Sequence, residues 1–313
     1  MEINNIFYYP GWTRKAITFT IDDANTRLDR KFIDIVKPAG FLGAFNITTR
    51  NLKKLSPDEC RELYAGFEVT NHSATHPFLL KEKDRARITD EPFAEADADD
   101  GKVYKTDREG YYYFKAPNGW RVAAELEYYK ADVLQGHEET EAVFGKGSVG
   151  MYAWPYTRQD SDELDAYIKS FGYYGIRASG AVRDKEDFNL PKSRFPWYVT
   201  SPHNEILELG ERYESLPDDG KLKFFCFGLH SHDFENNKRW HLLEEFARRY
   251  GNRPDDFWYS TPRDIFAYED AVAAVTACDG ELKNNSDLPI YIKLGDERLT
   301  LAPGKTVKIP LID

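Results

Sequence analysis

The chain has 313 residues, 41% of them apolar, enough to bury a large α/β core and too many for global disorder. Its formal net charge of −11 speaks against a general nucleic-acid binder, because phosphate recognition needs a basic stripe and none is visible. No apolar run approaches the length of a membrane span, and the opening MEINNIFYYPGW lacks the basic-then-apolar pattern of a signal peptide, which tilts the expectation slightly towards the cytoplasm.

Strand and helix signals alternate along the chain. Ala16–Ile21 is short, apolar and β-branched and reads as a buried strand ending at Asp22-Asp23. Leu28, Phe32, Ile35 and Val36 then recur at helical spacing until Lys37-Pro38-Ala39-Gly40 stops the helix. Gly43–Thr48 is the next strand. Ser56-Pro57-Asp58-Glu59 carries a capping-box pattern with proline at the first helical position, and its helix ends near Gly66. Phe67–Thr70 is a short strand running into Asn71-His72. From Phe78 to Asn118 the pattern turns polar and irregular, with the acid-rich run Glu95–Asp100 and the triplet Tyr111-Tyr112-Tyr113. That stretch is longer than an ordinary connection and reads as an insertion or lid.

The rhythm then resumes. Trp120–Phe144 reads as one long helix, Gly150–Trp154 as a strand and Asp160–Phe171 as a capped helix. Strands follow at Tyr174–Ala178 and Lys223–Leu229. Helix Arg239–Tyr250 precedes strand Phe257–Ser260, and Thr261-Pro262 opens a last helix through about Thr276. The tail differs in kind: Leu288–Leu294 and Leu299–Ile309 alternate with period two around Gly295-Asp296 and Pro303-Gly304. Repeated β-then-α units predict a parallel sheet, and this many in one domain favour closure. The expected fold is α/β, a distorted (β/α) barrel of about seven strands. It spans residues 1–279 with the insertion near 78–118, and residues 280–313 form a small β appendage.

A barrel of this kind carries its active site at the C-terminal ends of its strands. Asp22 and Asp23 end the first strand, His72 and His76 follow the third, Tyr156 follows Trp154, Arg177 lies near a strand end and His230 follows Leu229. His72 and His76 are spaced so that both imidazoles can point one way, and two histidines with one carboxylate suit a divalent cation. Taken alone, such a pair is more often structural. Adjacent acids at a buried strand end repel each other, and a cation would relieve that. Solvated turn residues beside a capping Asn25 would explain one of the two acids, but explain both poorly. Cys60, Cys226 and Cys278 have no metal-ligand spacing and read as thiols of a reducing compartment. The sequons at Asn46 and Asn284 carry little weight without evidence of secretion. Aromatic residues reach 15%; most such rings fill a core, and a few at a rim can stack on sugars.

At these residues the chain resembles the polysaccharide deacetylase family, of the carbohydrate esterase type. Thr18-Phe19-Thr20-Ile21-Asp22-Asp23-Ala24 is similar to its first motif, usually written TFDDG. Asn71-His72-Ser73-Ala74-Thr75-His76-Pro77 is similar to its second, HSxxH with Asn before and Pro after. Ala153-Trp154-Pro155-Tyr156 looks like a degenerate third motif, and Phe225–His230 with Ser231-His232-Asp233 resembles the fifth. The resemblance implies a metal-dependent hydrolase that removes acetyl groups from an acetylated oligo- or polysaccharide. It implies Asp23, His72 and His76 as ligands of a divalent metal, zinc ahead of cobalt or manganese. It implies Asp22 as general base, His230 as general acid and the Tyr156 N–H as an oxyanion donor. The third motif usually begins with an arginine that orients the base; here that position is Ala153, and Arg177 either supplies the charge or forms a surface salt bridge. Trp154 and Trp197 are the expected sugar-stacking rings, with His232 as a further substrate contact and His203 as a weaker candidate. Two other readings stay open: a hydrolase of another small amide, as in allantoinase-like relatives, and a non-catalytic binding protein that keeps the fold.

Overall fold

In a computed structural model the described residues are 3–94, 100–117, 119–158, 161–181, 188–190 and 193–309. The acid-rich run expected at 95–100 falls almost wholly outside them. The barrel strands are β1 (Lys15–Asp22), β2 (Ala44–Ile47), β3 (Glu68–Asn71), β4 (Met151–Ala153), β5 (Gly175–Ala181), β6 (Trp197–Val199, resuming as Ser201–Pro202) and β7 (Lys223–His230). All pair in parallel. The first run of β6 pairs β5 and its second run pairs β7, so this one segment joins the two ends of the sheet. Thr200, between the runs, fastens the seam: its N–H donates to the Cys226 carbonyl and its hydroxyl oxygen accepts from the Cys226 N–H. The result is the expected barrel.

β1 is buried on both faces, every residue from Ala16 to Asp22, and its apolar Ala16, Ile17, Phe19 and Ile21 are joined by buried Thr18, Thr20 and Asp22. Outside it pack α1 (Thr26–Val36), α2 (Pro57–Leu63), α3 (Leu126–Phe144), α4 (Asp162–Lys169), α5 (Ile206–Glu214), α6 (Trp240–Tyr250) and α7 (Pro262–Ala273). The capping box of α2 is formed as its sequence predicts, with Ser56 and Glu59 exchanging bonds. Most of the aromatic content serves this core: Phe19, Phe32, Phe45, Phe227 and Phe246 form a run of edge-on and tilted rings between β1, β2, β7 and the helices.

Three expectations differ from what is found. The segment read as irregular forms a five-stranded sheet from Phe78–Leu79, Ile88–Thr89, Val103–Lys105, Tyr111–Ala116 and Gly119–Ala124. Its last strand takes up the start of the expected helix Trp120–Phe144, which begins only at Leu126; pairing of 119–124 with 111–116 outweighs a weak helical preference. At the tail, the expected strand Leu299–Ile309 is split into Glu297–Leu301 and Thr306–Lys308 by the turn at Pro303-Gly304, and Phe7–Tyr8 adds to Ile290–Leu294. Ile290, Ile292, Leu294 and Leu301 bury against Tyr9, Phe266 and Tyr268 on α7's side of the barrel.

Candidate active site

Register decides which side chains meet. His230 is the direct partner of Asp22 across β7 and β1, Ala153 is the partner of Arg177 across β4 and β5, and Asn71 ends β3 beside Tyr152. Asp22, His72, Arg177 and His230 therefore sit at one level of one rim. Asp23 Oδ1 lies 3.5 Å from His72 Nε2 and 3.3 Å from His76 Nε2. Its other oxygen faces the second histidine pair, 3.9 Å from His230 Nε2 and 3.8 Å from His232 Nδ1.

The loop that holds the two histidines is tightly fixed. Asn71 bonds the Val133 carbonyl of α3 and accepts from the Ser73 N–H, and the Ser73 hydroxyl accepts from the His76 N–H. Asp132, buried on α3, takes both the N–H and the hydroxyl of Thr75 at 2.9 and 2.6 Å. Gly136 lets the helix approach so closely: a Cβ there would lie 2.6 Å from both Asn71 Oδ1 and the Ser73 carbonyl carbon. Asp23, Ala24, Ser73, His76 and Tyr156 all have φ between +54° and +80°. Such strained backbone in non-glycine residues clusters where function over-determines geometry.

A cation fits this donor set. His72 Nδ1 is held by the Ala153 carbonyl at 2.8 Å, which fixes the N–H there and turns the Nε2 lone pair towards Asp23. His72 Nε2 and His76 Nε2 are buried nitrogens without a hydrogen-bond partner, and buried polar atoms are seldom left so unless something else binds them. Burial, then the neighbouring His72, push the His76 pKa down to about 3, leaving a neutral imidazole. Burial would raise the Asp23 carboxyl, but His72, His230 and His76 hold it well below the usual range.

Asp22 is fully buried. Burial again works upward on its pKa, and the Arg177 guanidinium, with His72 and His230, overcomes it and keeps the carboxylate charged. Arg177 is itself fully buried and its Nη2 is bonded to both Asp22 oxygens, which removes the surface-salt-bridge alternative. Asn46 Nδ2 donates to Asp22 Oδ1 at 2.5 Å, while Asn46 Oδ1 accepts from the Thr70 hydroxyl. Asn46 and Asn284 are fully buried, so neither sequon offers an accessible acceptor. On the far side, His230 Nδ1 meets Asp233 Oδ2 at 2.9 Å. Burial opposes a proton on His230, yet Asp233, Asp22 and Asp23 raise its pKa to about 9. His203 and Arg239 stand behind Asp233.

Three residues escaped the sequence reading. Asn46 gave only the signal of a polar residue inside an apolar strand, Asp132 that of an acid on a helix, and Asp233 that of an acid after a histidine. Two of the expected site residues are corrected. Trp154 and Trp197 are 0% and 1% exposed, packed on Tyr152 and on Phe224 with Phe266 respectively, so neither ring can stack on a sugar. The aromatic surface at the rim is instead Tyr156, edge-on to His76 at 4.3 Å and stacked on Phe78 at 3.7 Å. His232 stays at the rim, stacked on His230.

The sequence profile of the polysaccharide deacetylases matches residues 11–176. No curated protein matches the chain. Among solved structures it is similar to a candidate polysaccharide deacetylase from Mycobacterium smegmatis, at 15% identity and a TM-score of 0.50, over 88% of this chain and 98% of that one. It is also similar to the CE4 domain of a multidomain xylanase from the hindgut metagenome of Trinervitermes trinervoides (14%, TM-score 0.47, 82% and 92% of the two chains). A third is a polysaccharide deacetylase from Bacillus cereus (11%, TM-score 0.44, 79% and 91%).

Proposed function

The chain belongs to the polysaccharide deacetylase family, and from that premise we propose that it hydrolyses N- or O-linked acetyl groups of an oligo- or polysaccharide with the help of a divalent metal. The observation that carries this reading is the convergence of Asp22, Asp23, His72, His76 and His230, with two buried imidazole nitrogens left unpaired beside a carboxylate. Asp23, His72 and His76 would hold the ion, and two imidazoles with one carboxylate favour zinc. When bound, such an ion supplies Lewis acidity and lowers the pKa of water.

The chain's own groups divide the remaining work. Asp22 accepts the proton of the attacking water as its oxygen bonds to the acetyl carbon. Arg177 and Asn46 keep that carboxylate ionised and fixed, a positioning role for Arg177 that replaces the arginine absent at Ala153, its register partner. The Tyr156 N–H, for which the described residues offer no acceptor, donates to the developing oxyanion. His230 gives the proton on its Nε2 to the departing amine or alkoxide while Asp233 holds Nδ1, and acetate leaves. His232 lies at the edge of this space, suited to a substrate hydroxyl.

The test is acetate release from a panel of N- and O-acetylated oligosaccharides. Wild-type protein releases acetate, and Asp22→Asn lowers the rate by about 10²–10⁴. Equal release by Asp22→Asn, or turnover of a cyclic amide such as allantoin with none of any acetylated sugar, contradicts the reading.

A further inference from the structure

Behind the Tyr156 ring lies a cavity of about 290 Å³ between the five-stranded insertion sheet and the segment after β4. Phe78 forms the partition: one face stacks on Tyr156, and its edge meets Phe114 at 5.2 Å. Thr157 and Arg158, which continue directly from Tyr156, line the same space, so the Tyr156 and Phe78 rings stand between it and the candidate ligand His76.

The charge of this cavity runs against that of the molecule. Its charged lining is Lys81, Lys83, Arg87, Lys115 and Arg158 against Asp84 alone; Arg87 is paired with Asp84 at 3.0 Å and Arg158 with Asp165 outside the lining, which leaves the three lysines to set its charge. In a cavity at the opposite end of the barrel, near Lys15, five basic residues face Glu214, Asp218, Asp255 and Asp256 and nearly cancel. Lys81 and Lys83 are exposed and have no carboxylate within 4.0 Å among the described residues. In a chain of net charge −11, gathering cations this way costs self-repulsion unless an anion meets them. A sugar hydroxyl both donates and accepts, whereas lysine and arginine only donate, so this lining leaves the hydroxyl protons of a neutral sugar poorly served and suits the acceptor-only oxygens of an anion. Besides Asp84, the lining side chains offer one acceptor, the Thr157 hydroxyl.

Building on the deacetylase reading, we propose that this cavity is a subsite for an anionic sugar residue, so that the substrate is an acetylated glycan bearing a carboxylate, sulfate or phosphate next to the residue being deacetylated. Phe78 and Phe114 would meet the C–H face of that residue while Lys81, Lys83 and Lys115 meet its anion.

The experiment uses an N-acetylglucosamine oligomer, the same oligomer oxidised at C6 to the uronate, and its 6-O-sulfate. Both kcat/KM for acetate release and calorimetric affinity are measured for wild type and for the Lys81→Glu/Lys83→Glu variant. The charged oligomers should be favoured about tenfold at low ionic strength, the preference shrinking as salt shortens the Debye length below about 10 Å. In the variant the preference should vanish or invert. A preference for the uronate alone or the sulfate alone identifies the anion and also supports the subsite. Equal values for neutral and charged oligomers, insensitive to salt and to the variant, overturn it while leaving deacetylation standing. Tight, lysine-dependent binding of the charged oligomer without acetate release supports the subsite and sinks the hydrolase reading instead.

Discussion

Removing Arg177 tests the electrostatic design of the site most severely. Its guanidinium is fully buried and bonds both oxygens of a fully buried Asp22, to which Asn46 Nδ2 also donates. Breaking a buried pair from one side leaves an uncompensated charge and costs about 3–5 kcal/mol, a large share of the roughly 5–15 kcal/mol that holds a domain folded. Arg177→Met should therefore lose about that much in denaturant unfolding and, with Asp22 misplaced, most of its acetate release. In Asp22→Asn/Arg177→Met the orphaned charge is gone, so the double variant should be more stable than the sum of the single losses predicts, by at least about 1–2 kcal/mol. Because Ala153 and Arg177 are register partners, Ala153→Arg in the Arg177→Ala background should recover part of both stability and rate. Additive losses in the cycle, or wild-type stability and rate in Arg177→Met, would refute the reasoning.

The loop and proton network give further expectations. Gly136→Ala would press a Cβ against the Asn71 side chain and the Ser73–Ala74 backbone; overpacking of this kind costs about 1–3 kcal/mol, and calorimetry should show zinc affinity at least about tenfold weaker, since supports of ligand residues matter on that scale. Asp233→Asn removes the group that most raises the His230 pKa, so the acid loses its proton sooner and the alkaline limb of the pH–rate profile should move to lower pH. Glu68, buried under Arg263 and Tyr174, has its pKa raised to about 7 by burial against their pull. The folded state thus binds this proton more tightly than the unfolded chain. The resulting stability is complete below the unfolded value near 4.5 and is lost as pH rises through 7, a swing of about 3 kcal/mol. Thermal melts across pH 4–8 should show it, and Glu68→Gln should flatten it.

Much of the barrel was legible because its strands are short apolar runs that end in reactive residues. Ala16–Ile21 with Asp22-Asp23, and Phe67–Thr70 with Asn71-His72, put strand end and chemistry side by side in sequence. What escaped depends on neighbours distant along the chain. The strand Gly119–Ala124 exists because Tyr111–Ala116 pairs with it, and its own residues read equally well as helix. Trp154 reads as a strand end and Trp197 as a loop residue, both suggesting a rim, but the direction of each side chain is decided by packing on Tyr152, Phe224 and Phe266. Asn46 and Asp132 belong to none of the family's motifs; their worth comes from meeting Asp22 and Thr75 in space.

The most direct measurement of the central claim is a zinc titration of metal-stripped protein in which bound zinc and acetate release are followed together. One ion should bind per chain, the rate should rise in proportion to its occupancy, and His72→Ala and His76→Ala should lose both. Full acetate release by the stripped protein, or stoichiometric zinc binding with no release from any acetylated sugar, would contradict the account.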